Sequence, residues 1–193
     1  MNTFKLLGSS LVVASFLSFT PINKKIIIID AGHGGEDFGA KHSGISEKDI
    51  VLDIAQEISN FNKNNSEYEI VLTRNDDTQS SLQDRTEKIN SFHPTAVISL
   101  HMNSSPKPES EKSGYEIYTQ STEDSKKLAK VISSNLGECT IAEKNLHILR
   151  ESKSPTVLVE LGFLNSTKDR KYLSSQEGQL EVAAKFDKIF KEL

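Results

Sequence analysis

The sequence predicts a single α/β domain, a mainly parallel twisted sheet flanked by helices on both faces. Two observations lead there. Short β-branched apolar runs alternate along the chain with segments whose apolar residues recur every three or four positions, the rhythm of strand–helix–strand units. The chain's 193 residues, 36% hydrophobic and 26% charged, suit one globular domain that buries a core without disulfides or a structural metal. A lone Cys139 excludes an internal disulfide framework and any cysteine-rich zinc or iron–sulfur site. With 23 Lys and Arg against 27 Asp and Glu, a net charge of -4, there is no electrostatic footprint for nucleic acid.

The elements follow in order. In residues 1–23, Lys5 precedes an uncharged run from Leu6 to Phe19, the arrangement of a secretory signal. That run is shorter than the roughly 20 residues a spanning helix needs. Pro21 spoils a cut after Thr20, so the segment is expected to be a signal, with an uncleaved anchor or a buried N-terminal helix as the alternatives, and the folded domain at 24–193. As a signal or anchor it implies export to the periplasm or cell envelope. Ile26 to Ile29 read as a strand buried on both faces. Beyond a glycine-rich loop, Ile50, Ile54, Ile58 and Phe61 mark an amphipathic helix, begun near Glu47 by a capping-box-like Ser46 and Asp49. Tyr68 to Thr73 make a strand. Leu82, Thr86, Ile89 and Phe92 make a helix stopped at His93-Pro94. Ala96 to Leu100 is a strand, and Gly114 to Thr119 alternates as a more exposed one. Leu128, Val131, Ile132 and Leu136 place a helix before Gly137. Thr156 to Leu161 is a buried strand, and Leu180, Ala183, Phe186, Ile189, Phe190 and Leu193 a C-terminal helix. The polar stretch 103–113 is expected to be a surface excursion.

Sites in open α/β sheets form beyond the carboxyl ends of strands. Here those ends lead into His33, His101 and Glu160. The loop AGHGGEDFGA at 31–40 is not a nucleotide cradle: Asp37 stands where a third glycine would be needed, and Glu36 and Asp37 repel phosphate. Histidines with a carboxylate are instead a zinc donor set, and a further carboxylate would handle the proton of a hydrolytic water. Spacing leaves Glu36 and Glu47 competing as the carboxylate ligand; Glu47 gains from its place at a helix start. Glu160, directly after Val157-Leu158-Val159, is costly to bury unless paired, and Arg74, Arg85 and Arg150 are the available structural partners. Asp30 and Asn103 are expected either to brace the turn or to orient imidazoles. His42, His93 and His147 read as loop, helix-stop and segment-edge residues, and Cys139 as a spectator.

The series IIIIDAGHGGEDFGA, GISEKDIVLDIA, VLTR, SLQDR, ISLHMN, GYEIY and LHILRESKSPTVLVELGFLNS, covering roughly residues 24–192, resembles the zinc-dependent N-acetylmuramoyl-L-alanine amidases of the type-3 family. The resemblance implies one zinc ion held by His33, Glu47 and His101, with Glu160 as catalytic acid/base. It implies a peptidoglycan substrate, cut between the lactyl group of N-acetylmuramic acid and L-alanine, in wall remodelling or cell separation. A monomer is expected, an activator protein is an open partner, and nucleic acid is not one. Some relatives carry an inserted helix that plugs the site. The stretch from Ser121 to Glu143 has room for one helix and little more, so that form of self-inhibition is not expected. No wall-binding module is expected on either side. Ile89-Asn90, where relatives carry Ala-Asn, is expected to be a packing change. The rivals are a zinc peptidase or deacylase acting on another amide, and a non-catalytic relative.

Overall fold

The computed structural model describes residues 24–193; the expected signal or anchor lies outside the described residues. The chain runs through β1 (Lys25–Ala31), a hairpin of β2 (Lys41–His42) and β3 (Ile45–Ser46), α1 (Glu47–Asn62), β4 (Tyr68–Leu72), α2 (Leu82–Ser91) and β5 (Ala96–Asn103). It continues through β6 (Tyr115–Thr119), α3 (Glu123–Leu136), β7 (Cys139–Glu143), α4 (His147–Glu151), β8 (Thr156–Phe163), α5 (Thr167–Leu173) and α6 (Gln176–Lys191). The main sheet has six strands in the order β4-β1-β5-β8-β6-β7. β4, β1, β5 and β8 run parallel to one another, whereas β6 pairs antiparallel with β8 and parallel with β7. The expected mainly parallel class therefore holds, with one antiparallel joint at the GYEIY segment.

Alternation along the strands sends side chains to two cores. Ile27, Ile29, Ile98, Leu100, Val157 and Val159 face α1, α3 and α6 in the larger one, with Ile54, Ile58, Leu128, Ile132 and Phe186. On the opposite face Ile28, Val97 and Leu158 meet Ile89 of α2 and Ile148 and Leu149 of α4. Each such burial stabilises by about 1.5–3 kcal/mol. Phe61 does not continue the α1 stripe; it is 52% exposed. The stripe advances by four from Ile58 to Asn62, whose amide is buried and satisfied by the Ile58 carbonyl and the Tyr68 hydroxyl. Ser46 caps α1 without a side-chain bond to the backbone; its hydroxyl goes to the Asp49 carboxylate instead.

α2 buries Arg85, Thr86 and Ile89 rather than an apolar stripe, and its Leu82 stays exposed. That polar inner face meets Asp30 at the end of β1 and prepares the site. Strands β5 and β8 run further than their apolar runs suggest. His101 and Glu160 lie inside them, register-paired, just before an irregularity at 101–103, rather than beyond their ends. The 103–113 segment is a surface excursion tied down by the Asn165 amide, which donates to the carbonyls of Ser105 and Lys107. Among the described residues no helix is long and apolar enough to cross a membrane.

Candidate metal centre

The glycine-rich loop after β1 is shaped by close approaches. A Cβ on Gly32 would sit 2.4 Å from the His101 ring, so the loop reaches that ring only as glycine. His33 follows in the left-handed region, at φ 60, a conformation uncommon outside glycine. Paired backbone bonds between Gly34 and Asp37 close the turn. Asp37 Oδ2 lies 2.9 Å from His33 Nδ1. This leaves His33 Nε2 pointing inward, 2.9 Å from Glu47 Oε1.

Glu47 opens α1 and is buried. Its Oε2 accepts from the Ala40 N–H at 2.8 Å, and its Oε1 from the Met102 N–H at 3.0 Å while lying 2.9 Å from His101 Nδ1. Three elements thus deliver His33, Glu47 and His101 so that one ligand atom of each lies within 4.8 Å of the others. Glu36, the other carboxylate that spacing allows, is exposed and lies outside this cluster. Imidazole nitrogens and a carboxylate oxygen converging from separate elements, with the far nitrogen of one ring already hydrogen-bonded, form a donor set that fits a divalent transition metal. The electrostatics agree. Burial works against an imidazolium at His33, but the Glu47 and Asp37 carboxylates outweigh it and raise its pKa to about 9. Burial likewise opposes ionisation of Glu47, yet His101 and His33 hold its carboxyl well below the usual range. The cluster is a carboxylate gathering positive charge.

Glu160 stands apart from that cluster. It is register-paired with His101 on one side and Glu116 on the other. Its Oε2 is buried with no hydrogen-bond partner among the described residues. Burial pushes its pKa up to about 7; His101 pulls the other way, and the Glu47 and Glu116 carboxylates push with burial. None of the available arginines pairs with it. Arg74 bonds main-chain carbonyls, Arg85 bonds Asp30, and Arg150 bonds Glu151 and Asn145.

Asp30 braces the turn rather than an imidazole, accepting from Thr73, Ser99 and Arg85; Asn103 donates to Glu116. The residue that does hold an imidazole is Asp37, which spacing alone passed over. Its signal was its position four residues after His33 in a tight glycine loop. His42 and His93 lie away from the cluster, whereas His147 lines the cleft, 3.5 Å from the Thr86 hydroxyl. That cleft, about 410 Å³, is lined by His33 and His101 together with the apolar Leu82 and Ile148.

Comparison with known proteins places the chain in a family. Residues 27–188 match the model of the N-acetylmuramoyl-L-alanine amidase family, Amidase_3. The chain belongs to that family. As a type-3 amidase it is a hydrolase, and its fold is shared with the catalytic domain of the amidase CwlV from Bacillus (Paenibacillus) polymyxa, at 32% identity and a TM-score of 0.80 over 87% of this chain and 97% of that one. The uncharacterized protein YqiI of Bacillus subtilis is 34% identical over 172 residues, covering 84% of this chain and 82% of its own. The amidase LytC of the same organism is 34% identical over 181 residues, and there the chain spans only 36% of the relative's length.

Proposed function

We propose that this amidase cuts the bond between the lactyl group of N-acetylmuramic acid and L-alanine in peptidoglycan, using one zinc ion held by His33, Glu47 and His101, with Glu160 carrying the proton. The observation behind this reading is the Glu160 carboxyl: buried, free at one oxygen, and set across the strand from His101.

Zinc in this donor set supplies a Lewis acid for the scissile carbonyl and acidity for a water. The rest falls to the chain. Asp37, bonded to His33 Nδ1, fixes the tautomer that presents Nε2 inward. Glu47 brings the negative charge, steadied by the Ala40 and Met102 N–H groups. Amide nitrogen leaves poorly as an anion, so a proton must reach it as the C–N bond breaks. Glu160, whose pKa burial raises to about 7 in the metal-free chain, is a carboxyl suited both to take a proton from water and to give one to nitrogen. Leu82 and Ile148 offer apolar walls to a substrate lying along the cleft.

Peptidoglycan lies outside the cytoplasmic membrane. This substrate therefore agrees with residues 1–23 as an export signal or tether, and with a role in wall remodelling or cell separation. A monomer suffices, since every residue invoked comes from one chain. The test is to incubate the purified chain and zinc with peptidoglycan and identify products by mass spectrometry. Stem peptides with a free N-terminal L-alanine, suppressed by a chelator, are expected. Release of any other amide product, with intact lactyl–alanine bonds, would refute the assignment. Release only after adding a second protein would place an activator among its partners.

A further inference from the structure

The VLTR motif ends in Arg74, which no step above uses. Its side chain is buried and makes no ion pair among the described residues; it spends its donors on main-chain carbonyls. Nε donates to Ala31 at 3.0 Å and Nη1 to Asp76 at 2.9 Å. Nη2 donates to two carbonyls at once, Gly32 at 2.8 Å and Lys48 at 2.8 Å. Gly32 immediately precedes His33, and Lys48 immediately follows Glu47. A single nitrogen therefore ties the loop bearing one proposed ligand to the helix start bearing another. Arg85 adds bonds to the carbonyls of Ala31 and His33, so the carbonyls of residues 31, 32 and 33 all accept from a guanidinium.

Burying a guanidinium with no carboxylate in ion-pair contact, only the more distant charges of Asp30, Asp77 and Asp49, costs free energy that an apolar residue of similar volume would not. Filling space therefore does not account for it. A planar fork does something no other side chain does: it fixes several carbonyls in one plane at set separations.

We propose that Arg74 is a positioning residue for the metal centre, setting the spacing between His33 and Glu47 and with it the metal affinity and coordination geometry. This rests on the ligand assignment proposed above.

The test measures zinc affinity by chelator competition and the visible spectrum of the cobalt-substituted protein, whose shape reports coordination geometry. Arg74→Lys and Arg74→Met are compared with the full chain and with Leu128→Ala, a control that removes a buried side chain of α3, an element that carries none of the proposed ligands. Both Arg74 variants are expected to bind zinc about 10–100-fold more weakly and to alter the cobalt spectrum, with Lys no rescue because an ammonium lacks the planar fork. Leu128→Ala is expected to melt earlier but keep the parental affinity and spectrum. A folded Arg74→Lys with parental affinity and spectrum overturns the proposal. So does Leu128→Ala weakening zinc as much, or a failure of both Arg74 variants to fold, which would make Arg74 a folding residue. Absence of zinc binding by the unaltered chain would instead sink the ligand assignment itself.

Discussion

Replacing Asp30 by Asn is expected to destabilise the domain far more than its size suggests. Asp30 is 1% exposed and accepts from Thr73 Oγ1 at 2.6 Å, Ser99 Oγ at 2.6 Å and Arg85 Nη1 at 2.8 Å. Asparagine fills the same volume but leaves the buried Arg85 guanidinium without its counter-charge. Removing one partner of a buried ion pair costs about 3–5 kcal/mol. At about 2–4 °C per kcal/mol for a domain of this size, the melting temperature should fall by about 6–20 °C. The pH dependence carries a sign. Burial disfavours the Asp30 anion, but Arg85 and the hydroxyls of Ser99 and Thr73 overcome it and lower its pKa in the fold. The stabilisation is thus present above the unfolded aspartate value of about 3.9 and is lost only as pH falls through the lower, folded one. Calorimetry in EDTA at pH 7 and 5 should find the full gap between the unaltered chain and Asp30→Asn, narrowing only below about pH 4. Asp30→Asn with Arg85→Met should recover much of the loss, since neither side chain then carries a charge to orphan. A shift under about 3 °C in the single variant would refute the reasoning, because the carbonyls of Ala31 and His33 would then suffice to hold Arg85.

Other consequences follow from the same contacts. Asp37→Asn should weaken zinc binding about 10–100-fold in chelator competition by loosening the His33 ring; unchanged affinity would mean the ring is held by packing alone. Gly32→Ala should abolish stoichiometric metal uptake in elemental analysis, since its Cβ would meet the His101 ring at 2.4 Å. Glu160 sits at about 7 in the metal-free chain, and a nearby dication favours its anion. Activity should therefore rise with pH along a limb centred at or below about 7, as the base form appears. A first rise only above pH 8 would point to a different base.

The fold class and both cores were legible because buried strands and amphipathic helices leave periodic traces. β1, α1, β5 and β8 all lie where Ile26 to Ile29, Ile50 to Ile58, Ala96 to Leu100 and Thr156 to Leu161 place them. What left no trace was structure without alternation. β7 is an edge strand exposed along most of its length, and α4 and α5 are too short for a helical period to emerge. Phe61 and Leu82 fit the period yet face solvent, because the burying surface ends beneath them or turns polar. His33, His101 and Glu160 could be picked out as polar residues following apolar runs. The choice between Glu36 and Glu47 was not available from spacing, since it depends on the loop folding back so that Glu47 meets the Ala40 and Met102 amides. Asp37 and Arg74 were hidden for a related reason: each acts through a contact made only when the loop closes.

The most direct test of the account is Glu160→Gln, assayed side by side for bound zinc and for release of stem peptides from peptidoglycan. Its buried Oε2 has no hydrogen-bond partner among the described residues, and the side chain is not among the clustered ligand atoms. The account predicts one zinc per chain, as in the unaltered protein, with turnover lowered by about 10²–10⁴-fold. Full turnover in Glu160→Gln would contradict it, and so would loss of the metal, which would make Glu160 a ligand instead of the proton carrier.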